Sequence, residues 1–247
     1  MINSWVLPFV LDSKRGGLET LRFALGWLDG EQITRHEKKW VINSFLPPFP
    51  GKAFDRMFEN LLSPRHLSPV SAYLAVTSEC QLNCIHCSLK NRRSANPRTE
   101  QWIDTLEGLE QLGVSLIGFT GGEPLLEKDL PVLVREASKR GMESMVFTSG
   151  MNLSPELAME LKQAGLWAIA VSLDHPEPEK HDEIRGVNGA FQKALDAIRI
   201  SKNAGLYTMV TMETNDRSHG ESQTQLLHKK KSRADQIMCR RLLSAES

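Results

Sequence analysis

A chain of 247 residues, 40% of them hydrophobic, holds enough apolar material for one sizeable core, or for one domain with an extension. Thirty basic residues balance thirty acidic ones, so nothing in the overall charge calls for a polyanion, and nucleic acid is not an expected partner. Four cysteines, three of them clustered between Cys80 and Cys87, do not make a secreted disulfide framework, and a reducing cytoplasm is the expected compartment. Met1 to Leu11 is apolar but short and ends at Asp12, Lys14 and Arg15, so no signal peptide is expected. No run reaches the roughly 20 apolar residues of a membrane-spanning helix, so no transmembrane segment is expected either.

Residues 1–70 read as a helical extension. Leu18, Leu21, Leu25 and Leu28 recur at helical spacing up to a stop at Gly30. A second helical segment is expected over about Glu31 to Phe45, carrying Trp40 and Val41 among charges, until Pro47-Pro48-Phe49-Pro50-Gly51 breaks it. Phe54, Phe58 and Leu61 then set the apolar face of a short helix closed by Ser63-Pro64. No recognisable chemistry lies here, and the expected role is a cap packed on the core. Peripheral membrane contact by the first apolar residues is the alternative.

From Ala72 the pattern turns to strands alternating with amphipathic helices, as in βα units on a parallel sheet. Strands are expected over Ala72–Thr77, Val114–Thr120, Met145–Thr148, Trp167–Leu173 and Tyr207–Met212. The helices between them show apolar faces at Trp102, Leu106 and Leu109, at Leu130, Leu133, Val134 and Ala137, at Leu157 and Leu161, and at Phe191, Ala194, Leu195 and Ile198. Lys90-Asn91-Arg92-Arg93 reads as a solvated basic turn. Five right-handed βα steps curl into a barrel or an open, partial one, with the active site at the carboxyl ends of the strands. The expected fold class is therefore α/β: a partial (β/α) barrel over residues 71–215, preceded by the helical extension.

Beyond Asn215 the pattern stops. Residues 216–247 show no sixth strand and read as a basic tail, irregular or weakly helical, with Lys229-Lys230-Lys231 and a candidate helix over Gln225 to Leu243. The abrupt change is read as a truncated or frame-altered end, in preference to a short form closed by a partner chain or a tail for an acidic partner. A barrel lacking its last unit has an unpaired strand edge, which predicts low stability or association.

The chemistry lies in Cys80-Gln81-Leu82-Asn83-Cys84-Ile85-His86-Cys87, just after the first sheet strand. Three thiolates at spacings x3 and x2, on a loop leaving a strand, can converge on one metal centre. Iron–sulfur clusters are usually held by four thiolates, so three from one loop would leave an iron open to a ligand or substrate. Zinc with His86 as a fourth ligand has the same spacing, although zinc sites more often pair C-x2-4-C with a distant second pair. Three unrelated core cysteines are the third reading. Gly121-Gly122-Glu123-Pro124-Leu125 follows the second strand: the glycines permit close backbone approach to a ligand, Glu123 supplies a carboxylate and Pro124 fixes the exit. Thr148-Ser149-Gly150 ends the third strand with hydroxyls suited to a ligand carboxylate or ribose, or to capping. Ser172-Leu173-Asp174 ends the fourth, and period-two alternation puts Ser172 and Asp174 on one face. His175, His181, Asp182 and Arg185 follow on a polar loop and short helix, and the two histidines lack the third ligand a metal site needs.

The cysteine loop and the GGEP segment at the second strand resemble the signature of the radical S-adenosylmethionine (radical SAM) enzymes. Asp182-Glu183-Ile184-Arg185-Gly186 resembles a loop of the branch that includes MoaA and the peptide-modifying SPASM proteins. The match covers about residues 70–213. The resemblance implies a [4Fe–4S] cluster on Cys80, Cys84 and Cys87, with S-adenosylmethionine (SAM) on the fourth iron. It implies reductive cleavage of SAM to methionine and a 5′-deoxyadenosyl radical that abstracts hydrogen from a substrate. An electron donor such as flavodoxin or ferredoxin follows from that chemistry. The resemblance puts His86 near the adenine, where the family usually has an aromatic residue. Gly121, Gly122, Glu123 and Pro124 come to the SAM amino group, and Thr148 and Ser149 to a small polar pair after the third strand. Ser172 comes to the ribose with Asp174 beside it, and Arg185 to the SAM carboxylate through a bidentate fork, a surface salt bridge being its alternative. Family barrels usually have six βα units, and many carry further cysteine clusters, which Cys239 alone cannot supply. A radical SAM enzyme is the expected function; the alternative is a non-catalytic zinc or iron–sulfur protein, or a truncated inactive remnant.

Overall fold

A computed structural model describes residues 33–42, 45–62, 69–90, 96–214 and 236–241, with the backbone alone at 61–62, 213–214 and 236–241. The first elements are a hairpin of β1 (Thr34–His36) and β2 (Lys39–Val41), followed by α1 (Lys52–Leu62). A parallel sheet then takes its six strands in chain order: β3 (Ser71–Thr77), β4 (Leu116–Gly121), β5 (Glu143–Thr148), β6 (Ala168–Ser172), β7 (Tyr207–Thr214) and β8 (Gln236–Arg241). Between them run α2 (Thr99–Gln111), α3 (Leu130–Lys139), α4 (Pro155–Ala164), and the pair α5 (Pro178–Arg185) and α6 (Ala190–Asn203). Because sequential strands are always neighbours, each crossover adds one strand on the same side, and the sheet is an open, partial (β/α) barrel.

Alternation along the strands sorts the two faces of the sheet. Ile117, Phe119, Val146, Ile169, Val171, Val210 and Met212 join one buried cluster with Leu106, Leu133, Leu161 and Ile198 of the covering helices. Their neighbours Leu116, Met145, Ala168, Ala170, Tyr207 and Met209 form a second cluster on the inner face, which Val41 of β2 also enters. All five expected strands end within two residues of their expected ends, β7 running two residues further, to Thr214.

Two expectations are corrected. Over Glu31 to Phe45 the described residues form an antiparallel hairpin rather than a helix. Its register pairs Thr34 with Val41 and His36 with Lys39, so these four share one face. That face lies against the amino-terminal ends of the sheet strands. The Thr34 and Tyr207 hydroxyls are 2.8 Å apart, His36 meets Trp167 and Tyr207 edge-on, and Lys39 donates to Glu143 at 2.6 Å. A period of two satisfies all of these contacts, whereas a helix would scatter them. The helix expected over Leu18 to Leu28 lies outside the described residues. The described part of the extension does pack as a cap. Phe54 and Met57 of α1 are buried with Leu46, and its Arg56 and Asn60 donate to the Arg140 and Gly113 carbonyls at 2.7 and 2.6 Å.

The second correction concerns the tail. A sixth strand, β8, pairs in parallel with β7 from Met209–Gln236 to Thr214–Arg241, where no strand and a weak helix were expected. The reason is tertiary: a strand edge offers backbone donors and acceptors that a following segment satisfies whatever its own pattern. Residues 216–235 and 242–247, including the Lys229-Lys230-Lys231 run, lie outside the described residues. No helix among the described residues is long and apolar enough to cross a membrane.

Candidate cofactor site

A cavity of about 440 Å³ opens at the carboxyl ends of the strands. Cys80, Cys84, His86, Cys87, Gly121, Gly122, Thr148, Ser149, Ser172 and Arg185 all line it. Glu123, Pro124 and Asp174 are buried and do not.

The cysteine loop is fastened on both flanks. On one side the amides of Gly122 and Glu123 donate to the carbonyls of Thr77 and Glu79, each at 2.7 Å. A β-carbon at Gly122 would stand 2.1 Å from the Glu79 carbonyl oxygen, and one at Gly121, whose φ is +134°, 2.4 Å from that of Thr77. Only two glycines let these backbones lie so close. On the other side the amides of Asn83 and Ile85 donate to the carbonyls of Arg185 and Ile184 at 3.1 and 3.0 Å. Gly186, at φ +69°, would meet the Asn83 carbonyl 2.5 Å from an added β-carbon. Cys84 sits in this second clasp and is buried; Cys80 and Cys87 are exposed, and all three are free thiols. Although Cys80 is exposed as a residue, partial desolvation of its thiol pushes it above its ordinary pKa, and the nearby Glu123 adds to the rise. Burial also raises Cys84, against the opposing Arg185 guanidinium.

Glu123 is buried behind the cavity lining and joins the ends of β4 and β5. The Thr148 hydroxyl donates to its Oε1 at 2.6 Å, the Ser149 amide to its Oε2 at 2.9 Å, the Ser149 hydroxyl to the same oxygen, and the Leu125 amide to Oε1 at 3.2 Å. Thr148 and Ser149 therefore reach the cavity with their protons already committed. They can accept from an ammonium or a sugar hydroxyl but not donate to a carboxylate, which narrows the role expected of them. Ser172 lies 3.5 Å from the Thr211 hydroxyl, from which it accepts.

Asp174 and Arg185 form a buried ion pair at 2.7 Å, and Arg185 Nη1 lies 3.8 Å from Cys84 Sγ. The surface salt bridge considered for Arg185 is thus corrected: its partner is an inner-face carboxylate, as alternation from Ser172 requires. Arg185 Nε has no hydrogen-bond partner among the described residues. The other polar residues of this segment fasten backbone. His181 Nδ1 accepts from the Asp174 amide at 3.2 Å, His175 Nδ1 from that of Glu177 at 3.0 Å, and Asp182 from those of Gly189 and Phe191 at 2.6 and 2.8 Å.

Tyr73, Thr120, Phe147 and Thr211 also line the cavity and were not singled out in the sequence. Tyr73 and Phe147 lie 5.6 Å apart over Gly118, where an added β-carbon would stand 2.5 Å from the Tyr73 ring. A glycine inside a strand was the available signal for such a close approach.

An open parallel (β/α) barrel with three free thiols on the loop after its first strand defines a class of cofactor-dependent proteins. Residues 74–218, more than half of the chain, match the family model described as Radical SAM superfamily, and the chain belongs to that superfamily. Over 141 residues it is 35% identical to the PqqA peptide cyclase of Granulibacter bethesdensis, covering 56% of this chain and 38% of the cyclase. Over 155 residues it is 32% identical to the AdoMet-dependent heme synthase of Oleidesulfovibrio alaskensis, covering 60% and 40%. The crystal structure of Streptococcus suis SuiB bound to S-adenosylmethionine aligns with a TM-score of 0.64 at 17% identity, over 73% of this chain and 42% of SuiB; that likeness is one of fold. The chain spans about two fifths of the length of the curated relatives described here.

The superfamily uses a [4Fe–4S] cluster and SAM, and the residues present fit both. Among the described residues no three side chains converge on one point as a single ion would require. In a [4Fe–4S] cluster each thiolate would bind a different iron, so cysteines that line a common space, as these three residues do, can serve it.

Proposed function

We propose that this chain is a radical SAM enzyme, with Cys80, Cys84 and Cys87 holding a [4Fe–4S] cluster and SAM occupying the rest of the cavity. The observation that carries the reading is the cysteine loop itself. Three free cysteines line one cavity, on a loop fastened by glycine-dependent contacts on both flanks. When bound, the reduced cluster and SAM supply reductive cleavage of SAM and a 5′-deoxyadenosyl radical for hydrogen abstraction.

The chain's own residues orient and enclose. Thr148 and Ser149, polarised by Glu123, accept from the SAM ammonium beside the Gly121–Gly122 backbone, with Pro124 fixing the exit of that turn. Ser172 meets the ribose and His86 borders the adenine. Asp174 holds Arg185 beside Cys84. Tyr73 and Phe147 give the substrate an aromatic wall that excludes water. A low-potential donor such as flavodoxin or ferredoxin supplies the electron, and a reducing cytoplasm keeps the thiols free.

The test is anaerobic incubation of the reconstituted chain with SAM and dithionite, followed by chromatography for 5′-deoxyadenosine. The reading expects the nucleoside from the wild-type chain and none from Cys84→Ala. Equal release from both, or none from a wild-type chain whose cluster is in place, would sink it.

A further inference from the structure

We propose that Arg185 and Asp174 set the reduction potential of the cluster through Cys84, with opposite signs. The proposal rests on the reading above that Cys80, Cys84 and Cys87 hold the cluster. Arg185 closes α5 with its guanidinium between two partners, Asp174 Oδ2 at 2.7 Å from Nη2 and Cys84 Sγ at 3.8 Å from Nη1. The two side chains of the ion pair are only 10% and 1% exposed. The placement does not depend on a long side chain alone. The Arg185 carbonyl accepts from the Asn83 amide at 3.1 Å, and that of Ile184 from the Ile85 amide at 3.0 Å, so the backbone holds Cys84 and the guanidinium in register. Cys84 is also the one buried cysteine of the three.

Local charge and hydrogen bonds to the sulfurs are what tune an iron–sulfur potential. Reduction adds a negative charge to the cluster. A guanidinium next to a ligating sulfur favours the reduced form, and a carboxylate behind it opposes that effect, both weakly screened because both are buried. With Nη2 on Asp174 and Nη1 beside Cys84, Arg185 and Asp174 are positioning residues for the cluster.

The experiment is a redox titration of the reconstituted full chain without SAM, followed by electron paramagnetic resonance, after iron content has been counted. Arg185→Gln leaves the Asp174 charge unopposed beside Cys84, and the midpoint potential should fall. Asp174→Asn keeps the shape and leaves the guanidinium charge unbalanced, and the potential should rise. Should Arg185→Gln fail to assemble a cluster, Asp174→Asn alone still has to show the rise. Potentials unchanged in both variants, or shifted in the same direction, overturn the proposal, since a purely mechanical fastener would change stability or cluster content instead. A wild-type chain that takes up no iron overturns the parent reading, and the iron count shows this before any titration begins.

Discussion

At the scale of single residues, Glu123 shows how the site depends on a buried carboxylate that ties two strand ends together. Four donors from Leu125, Thr148 and Ser149 meet its two oxygens inside the protein. Glu123→Gln would turn an amide N–H2 against donors, leaving one or more buried groups unsatisfied at about 1–3 kcal/mol. The measurement is the denaturant midpoint, which should fall while the far-ultraviolet spectrum of the native chain stays the same. A second prediction follows from the thiols. Burial raises the pKa of Cys80 and Cys84 in the folded apo chain. Raised values favour the neutral form, so their contribution to stability is present below the unfolded thiol value and is lost as pH rises through the folded one. Iodoacetamide alkylation of Cys80, the more accessible of the two, should show a midpoint above the value of about 8.5 of a free cysteine. A midpoint at or below that value would contradict the assignment of burial as the dominant influence.

At the scale of elements, the cysteine loop is positioned by two glycine contacts that allow no side chain. Gly122→Ala would drive a methyl against the Glu79 carbonyl, and Gly186→Ala would both strain a left-handed residue and press on Asn83. Each should cost about 1–3 kcal/mol and lower the iron bound per chain, as read from the melting temperature and from iron content after reconstitution. Most of this architecture was legible in the sequence. Ala72–Thr77, Val114–Thr120, Met145–Thr148, Trp167–Leu173 and Tyr207–Met212 are apolar runs long enough to declare strands, and the C-x3-C-x2-C and GGEP residues lie where such strands end. The hairpin was not legible, because three-residue strands carry too few positions for alternation to register. Its turn also places Glu37 rather than glycine or asparagine at positive φ, 52°. β8 was illegible for another reason: Ile237-Met238-Cys239 is too short a run to mark a strand, and what defines it is its register with β7. The inward facing of Glu123 and the burial of Arg185 were beyond the sequence too, since both depend on which strand ends become neighbours.

At the scale of the whole molecule, the two ends of the barrel do different work. The hairpin and α1 close the amino-terminal end, where Trp167 stacks on Tyr207 at 5.4 Å and Lys39 lies over the Trp167 ring. The cysteine loop occupies the opposite end. Trp167→Ala should therefore cost about 3–5 kcal/mol in stability without changing the iron bound by the chain that remains folded; a parallel loss of iron would show that the ends are coupled. The sheet remains open, with β3 and β8 as its outer strands among the described residues. By the proposed reading, three thiols of one loop hold a cluster that leaves one iron for SAM. The most direct test is to reconstitute the chain anaerobically, count iron and sulfide, and record the reduced electron paramagnetic resonance spectrum with and without SAM. About four irons per chain and a spectrum that changes when SAM is added are the predicted result. Bound zinc, or a cluster whose spectrum is indifferent to SAM, would contradict it.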